Sequence, residues 1–275
     1  MASDNTHRTF MNPAQVLRWW AEAGVDLPVD ETPHNRFLEA KAPAVALEQP
    51  PSRVEPMRAP PRIDPAAIAP PDEALRSARA LAAAATTLDE LRKALENFDG
   101  CGLKATATQL VFSDGAPNAR VMLVGEAPGG DEDRIGRPFV GRAGQLLDRM
   151  LAAINLDRTK VYIANVVAWR PPGNRTPTLQ ETAICLPFIQ RQIELVNPWL
   201  LVCLGASSAQ TLLGVKEGIT RVRGKWFDYS LGDKMIPALA MLHPAYLLRQ
   251  PAQKRLAWKD LRALASALAE IEKGE

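Results

Sequence analysis

The chain predicts a three-layer α/β/α fold with a central, mainly parallel, four-stranded sheet. Short β-branched, apolar runs alternate with segments of helical period along the sequence, and such alternation implies parallel strands joined by right-handed crossovers and covered on both faces. Strands end at or beside Glu126, Asn165, Gly205 and His243. These residues are far apart in sequence and should meet at the carboxyl edge of the sheet, where open α/β sheets bind ligands.

Taken in order, Asn12-Pro13 is a cap and first-turn proline for a short helix that presents Val16, Leu17 and Trp20 on one face and stops at Gly24. Residues 1–40 therefore read as an N-terminal appendage. The helix's apolar face is expected to bury either on the main domain or on a protein partner. Nine prolines between Ala42 and Glu73 break every periodicity, so 41–73 reads as an extended or disordered linker. The globular domain is expected over 74–275.

Within it, Ala74 to Ala85 is an alanine-rich helix. Thr87-Leu88-Asp89-Glu90 is a capping box opening a second helix to about Asn97. Val121 to Val124 is a strand that breaks at Gly125-Glu126-Ala127-Pro128-Gly129, and a charged loop then leads to Leu146, Leu147, Met150, Leu151 and Ile154 at helical spacing. Lys160 to Val167 is a buried strand, followed by a loop at Arg170 to Arg175. A second capping box, Thr178 to Glu181, starts a helix to about Val196. Trp199 to Leu204 is a strand, with a short helix from Ser207 to Leu213. Gly224 to Tyr229 and Met235 to Leu242 are strands around Leu231-Gly232-Asp233, and Gln253 to about Ile271 is an amphipathic helix.

Composition narrows the classes. No stretch is apolar enough to span a membrane, and MASDNTHRTF lacks a signal peptide's apolar segment, so a cytoplasmic monomer is expected. A formal charge of +2 means that any nucleic-acid affinity must come from a local patch. Three cysteines make no disulfide framework. The glycines after Val124 lack the Gly-Lys-Ser/Thr ending of a nucleotide-hydrolysing loop. Read without relatives, Glu126 is either the carboxylate at the mouth of a site or a solvated acid on a turn.

GEAPG, GRPFVGRAGQLL, YIANVVAWRPPGNR and MLHPAYLLR together resemble, in order and spacing, the motifs of the family-4 uracil-DNA glycosylases, over about residues 98 to 262. The resemblance implies the uracil-DNA glycosylase fold and hydrolysis of the N-glycosidic bond of a flipped-out deoxyuridine, leaving free uracil and an abasic site for base-excision repair. On it, Glu126 orients and deprotonates a water and stabilises the cationic sugar. His243 donates a hydrogen bond to the developing uracil O2 anion. Asn165 has the donor and acceptor that a uracil edge requires, Phe139 is the stacking aromatic, and the Ala127 backbone contacts base or water. Glu132 corresponds to a carboxylate near the C5 edge that crowds out thymine, although a solvated acid accounts for it equally well.

Arg137, Arg142, Arg170, Arg175, Arg223, Lys225 and Arg249 fall in or beside loops at the expected active edge, where as a cluster they would contact phosphates, although each taken singly reads as a solvated charge. Tyr246 to Arg249 resembles the family's loop that enters the duplex behind the flipped nucleotide, which implies that Leu247, Leu248 or Arg249 fills that gap. The substrate partner is thus uracil-containing DNA.

The chain departs from the family at one place. The family's four iron–sulfur cysteines correspond here to Phe98, Cys101, Trp169 and Cys185. Two thiolates cannot build a four-cysteine cluster, so no metal cofactor is expected, and Phe98 and Trp169 should fill its volume. Two other functions remain open: a uracil-DNA binding protein without turnover, and a repair scaffold without activity. A related group that captures the lesion covalently has a histidine in an insertion matching Asp131 to Gly136. That segment is short here and holds no histidine, which favours turnover.

Overall fold

The structure is a computed structural model that describes residues 71–274. The helix read in 1–40 and the linker up to residue 70 lie outside the described residues. Helix α1 (Pro71–Ala84) begins within the stretch read as linker, slightly before Ala74. It is followed by α2 (Leu88–Glu96), capped by the Thr87 side chain. The expected box is half displaced, because Glu90 turns to the Thr86 backbone and hydroxyl, each at 2.7 Å.

One sheet contains β1 (Asp114–Gly115), β2 (Val121–Gly125), β3 (Val161–Asn165), β4 (Leu200–Leu204), β5 (Trp226–Leu231) and β6 (Lys234–Met241). Their order is β1-β3-β2-β4-β6-β5. The inner four, β3-β2-β4-β6, are parallel, and β1 and β5 are antiparallel edges. The four-stranded expectation therefore describes the parallel centre and is corrected to six strands. β1 is too short to give a periodic signal, whereas β5, expected over 224–229, pairs with β6 as the partly exposed arm of a hairpin whose turn sets Gly232 at φ 57°.

Every residue of β2, β3 and β4 is buried, as a parallel sheet covered on both sides requires. Alternate residues feed two cores. Met122, Val124, Leu201 and Cys203 pack under α1, α2, α5 (Leu179–Val196) and α6 (Ala206–Leu213). Val121, Leu123, Leu200 and Val202 pack under α4 (Arg142–Ala152) and α9 (Lys254–Gly274).

Three short helices form where the sequence predicts none: α3 (Gly130–Ile135), α7 (Ile219–Val222) and α8 (Pro244–Arg249). Each is too brief to show a helical period. Both α3 and α8 stand directly after strand ends, so they shape the carboxyl edge.

Candidate active site

Strand register brings the predicted residues together. Gly125 pairs with Asn165 across β2 and β3, and the Gly205 amide donates to Met241 O at 2.8 Å across β4 and β6. The amides of Val166 and Val167 donate to Gly125 O and Glu126 O, both at 3.0 Å, and so fix the backbone carrying the carboxylate. The result is a cavity of about 710 Å³ whose walls include Glu126, Ala127, Phe139, Asn165, Gly205 and His243. That volume suits a nucleotide-sized ligand.

Gly125 sets the fit. A Cβ there would collide with Asn165 Oδ1 and come within 2.7 Å of the Phe139 ring. Among the described residues, Asn165 Oδ1 and Glu126 Oε1 are buried side-chain atoms without a protein hydrogen-bond partner. Leaving such atoms unpaired costs stability, and native structures tolerate it mainly where the groups have another use. Burial pushes the Glu126 pKa up, against a lowering hydrogen bond from Thr176.

His243 caps α8, its Nδ1 accepting from the Ala245 amide at 3.1 Å. An accepting Nδ1 leaves the proton of a neutral ring on Nε2. Burial, with Arg249 nearby, pushes the imidazole pKa down to about 4, opposed by Glu132. The ring stacks on Phe139 with centroids 5.5 Å apart. Gly205, at φ 99°, lets β4 approach: a Cβ there would stand 3.1 Å from that of His243.

Phe139 adopts a left-handed backbone, φ 55°, uncommon for an aromatic residue. Arg158 holds it there, donating to the carbonyls of Pro138 and Phe139 while pairing with Asp114 and Asp148. Neither Arg158 nor Asp114 stands out in the sequence.

Glu132 lines the cavity, but its carboxylate is spoken for. Oε1 accepts from the Val140 and Gly141 amides at 2.9 Å each, and Oε2 from Gly129 at 3.1 Å. It ties the first loop to the loop carrying Phe139, which neither a free gate nor a solvated acid would do.

The cations divide into paired and unpaired groups. Arg137 pairs with Asp114, Arg175 with Glu181, Arg223 with Asp260, Lys225 with Glu217 and Arg170 with Asp133. Of the expected phosphate contacts, Arg142 and Arg249 make no ion pair among the described residues, and Arg249 lines the cavity. Leu247 is corrected from a gap-filling residue to a core one: it is 1% exposed and packs beneath α8, whereas Leu248 and Arg249 face outward. Asn174, Thr176, Ser207 and Gln210 also line the cavity and were not singled out in the sequence. Their signal was position alone, since they follow the ends of β3 and β4.

Away from the cavity, Phe98, Cys101, Trp169 and Cys185 share the core beneath α1 and α5, all buried. The Cys101 and Cys185 Sγ atoms are 4.0 Å apart, and Phe98 packs on Phe188 with centroids 5.2 Å apart. Two thiols and two aromatic rings do not fit a cluster held by four thiolates.

Residues 112–262 match the family described as the uracil DNA glycosylase superfamily. The type-4 uracil-DNA glycosylase of Thermotoga maritima is 44% identical over 169 residues, covering 60% of this chain and 86% of that one. The namesake from Archaeoglobus fulgidus is 41% identical, covering 60% and 85%, and that from Pyrobaculum aerophilum 39%, covering 63% and 91%. The matched span starts just before β1 and ends within α9, so it takes in every strand of the sheet and every residue whose unpaired atoms face the cavity. With that agreement of sequence and fold, the chain belongs to the uracil DNA glycosylase superfamily.

Proposed function

We propose that the cavity hydrolyses the N-glycosidic bond of a flipped-out deoxyuridine in DNA, so that the protein acts as a monofunctional uracil-DNA glycosylase in base-excision repair. The observation carrying this reading is the meeting of Glu126, Asn165, Phe139 and His243, from separate strand ends and loops, around one cavity.

In this reading uracil lies against Phe139. Asn165 Oδ1, unpaired within the protein, accepts from uracil N3–H, and the amide nitrogen donates to O4. Cytosine reverses both and leaves a buried polar pair unmatched, a discrimination larger than apolar contact provides. As the C1′–N1 bond breaks, its electron pair passes to the base. The Nε2–H of His243 donates to uracil O2 and stabilises the anion without protonating it. A ring with a pKa of about 4 is neutral at physiological pH, so it arrives as a donor with no charge to desolvate.

The sugar left behind is cationic. Ionised Glu126 stabilises it and takes a proton from the water that adds at C1′; that proton then passes through solvent to the uracil anion, which regenerates the carboxylate and leaves neutral uracil and an abasic deoxyribose. A carboxylate held largely out of water interacts more strongly with that cation than a solvated one.

The reading includes no iron–sulfur cluster. Its basis is the set of available donors, and a brown preparation with stoichiometric iron would overturn this part alone. Turnover is preferred to capture without release because Asp131 to Gly136, the segment matching the covalent histidine's insertion, is short and holds no histidine. Incubation with uracil-containing DNA tests the whole. Free uracil and alkali-labile sites are expected, whereas a denaturation-resistant complex without free uracil would favour capture, and neither product would favour a scaffold.

A further inference from the structure

Helix α9 begins with KRLAWKDLR. At about 100° per residue, its inward residues Leu256, Ala257, Asp260 and Leu261 occupy one side, while Lys254, Arg255, Trp258, Lys259 and Arg262 fall within an arc of roughly 140° on the other. All five are exposed, and Trp258, at 45%, is one of the large exposed apolar side chains of the described residues. Apart from Trp258, this outward face is wholly cationic. None of its cations forms an ion pair among the described residues, unlike Arg137, Arg170, Arg175, Arg223 and Lys225.

Helix energetics do not explain this placement. The positive end of the peptide dipole lies at the N-terminus, where cations are disfavoured and acids usual, yet the first turn of α9 has no acid and begins Lys-Arg. Nor does bulk charge, which is only +2 over the whole chain. The stripe runs about 12 Å along the helix. It begins five residues after Arg249, which lines the cavity, with one short turn between them. That sets a cationic surface one short turn along the chain from a cavity-lining arginine.

We propose that this face of α9 binds the DNA backbone flanking the target nucleotide. The four cations contact phosphates, and Trp258 packs on a sugar or an unstacked base. The inference rests on the reading of the cavity as a DNA-processing site, but it is tested by binding and not by turnover.

Full-length protein and the quadruple variant K254Q/R255Q/K259Q/R262Q are titrated with an undamaged duplex at several salt concentrations. Glutamine suits a helix and removes charge that the dipole disfavours, so equal thermal midpoints are expected. Each lost phosphate contact should flatten the slope of log affinity against log salt by about 1. At moderate salt the quadruple variant should bind at least about tenfold more weakly. Trp258→Ala should weaken binding severalfold with the slope unchanged, because it removes no charge.

Equal affinities and slopes for wild type and quadruple variant would overturn the proposal. Uracil release is measured separately. If release fails while the salt slopes differ, the cavity reading falls and the α9 surface stands; if release succeeds and the slopes coincide, the reverse holds.

Discussion

At the carboxyl edge of the sheet, Glu126 and Asn165 each bury an oxygen that nothing among the described residues satisfies. In the core beneath α1 and α5, Phe98 and Trp169 lie with a pair of thiols, closed over by aliphatic and aromatic neighbours. The first region keeps polar groups at a cost in stability. The second is filled by apolar contact and buried thiols. Unpaired buried atoms persist where a substrate completes them, whereas a site that only holds the fold together can be rebuilt from any groups that fill it. The comparison thus separates what the reaction requires from what stability requires, and substitutions in the two regions should fail in different ways.

The largest effect is expected at the edge. Glu126→Gln keeps the shape and removes the charge, and should slow uracil release by roughly 10²–10⁴-fold. His243→Ala should slow it by about 10²–10³-fold by removing the oxyanion donor. Because burial raises the Glu126 pKa, ionising it in the folded protein costs stability at neutral pH. Glu126→Gln should therefore melt no lower than wild type, and slightly higher. A rate within a factor of three of wild type for both variants would remove the mechanism.

The core should fail in the opposite way. Phe98→Ala or Trp169→Ala opens a large cavity under α1 and α5 and should cost about 3–5 kcal/mol by denaturant unfolding. The rate per folded molecule should barely change, because neither ring lines the active cavity. A variant that unfolds no more readily than wild type would show that these rings do not carry the packing assigned to them.

How much of this was legible beforehand differs between the two regions. The strand ends were visible because apolar runs stop at glycine or at a polar residue, and four strand ends suffice to define one edge. The Phe98 and Trp169 substitutions were visible by their misfit to the family pattern. What was hidden depends on long-range contact: the hold of Arg158 on Phe139, the three amides bound by Glu132, and the inward turn of Leu247. An arginine that positions a backbone carbonyl from another element has the same local sequence signature as one in solvent. Leu247 and Leu248 are adjacent and chemically identical, and only the curl of a six-residue helix decides which of them faces out.

The pH dependence sharpens the comparison by a smaller margin. Glu126 must be ionised, and its folded pKa lies above its ordinary 4.5. The acid limb of kcat/KM should therefore fall through a single ionisation above 4.5, before His243 protonates near 4. Stability should behave differently. The lowered His243 pKa contributes stability that is fully present above the unfolded value of about 6.5 and is lost as pH falls through about 4. Activity should accordingly disappear at a higher pH than the fold. If the two losses coincide, Glu126 does not set the limb.

The smallest expected effect tests whether the core keeps any trace of a metal site. Cys101 and Cys185 are fully enclosed, and the pairing of their sulfurs raises the Cys185 thiol pKa while lowering that of Cys101. If they act only as small buried groups, Cys101→Ala/Cys185→Ala should cost on the order of 1–2 kcal/mol in all, because a thiol is little more than a methyl in packing and a weak hydrogen-bond partner. Uracil release should be unchanged. A residual metal site predicts otherwise: the double variant would lose bound iron or zinc present in wild type, and would destabilise far more than two small truncations can, because metal binding energy is folding energy. Metal analysis of both proteins beside their unfolding curves decides between packing and ligation, and a stoichiometric metal lost in the variant would return this core to the class of polar sites from which its aromatic residues separate it.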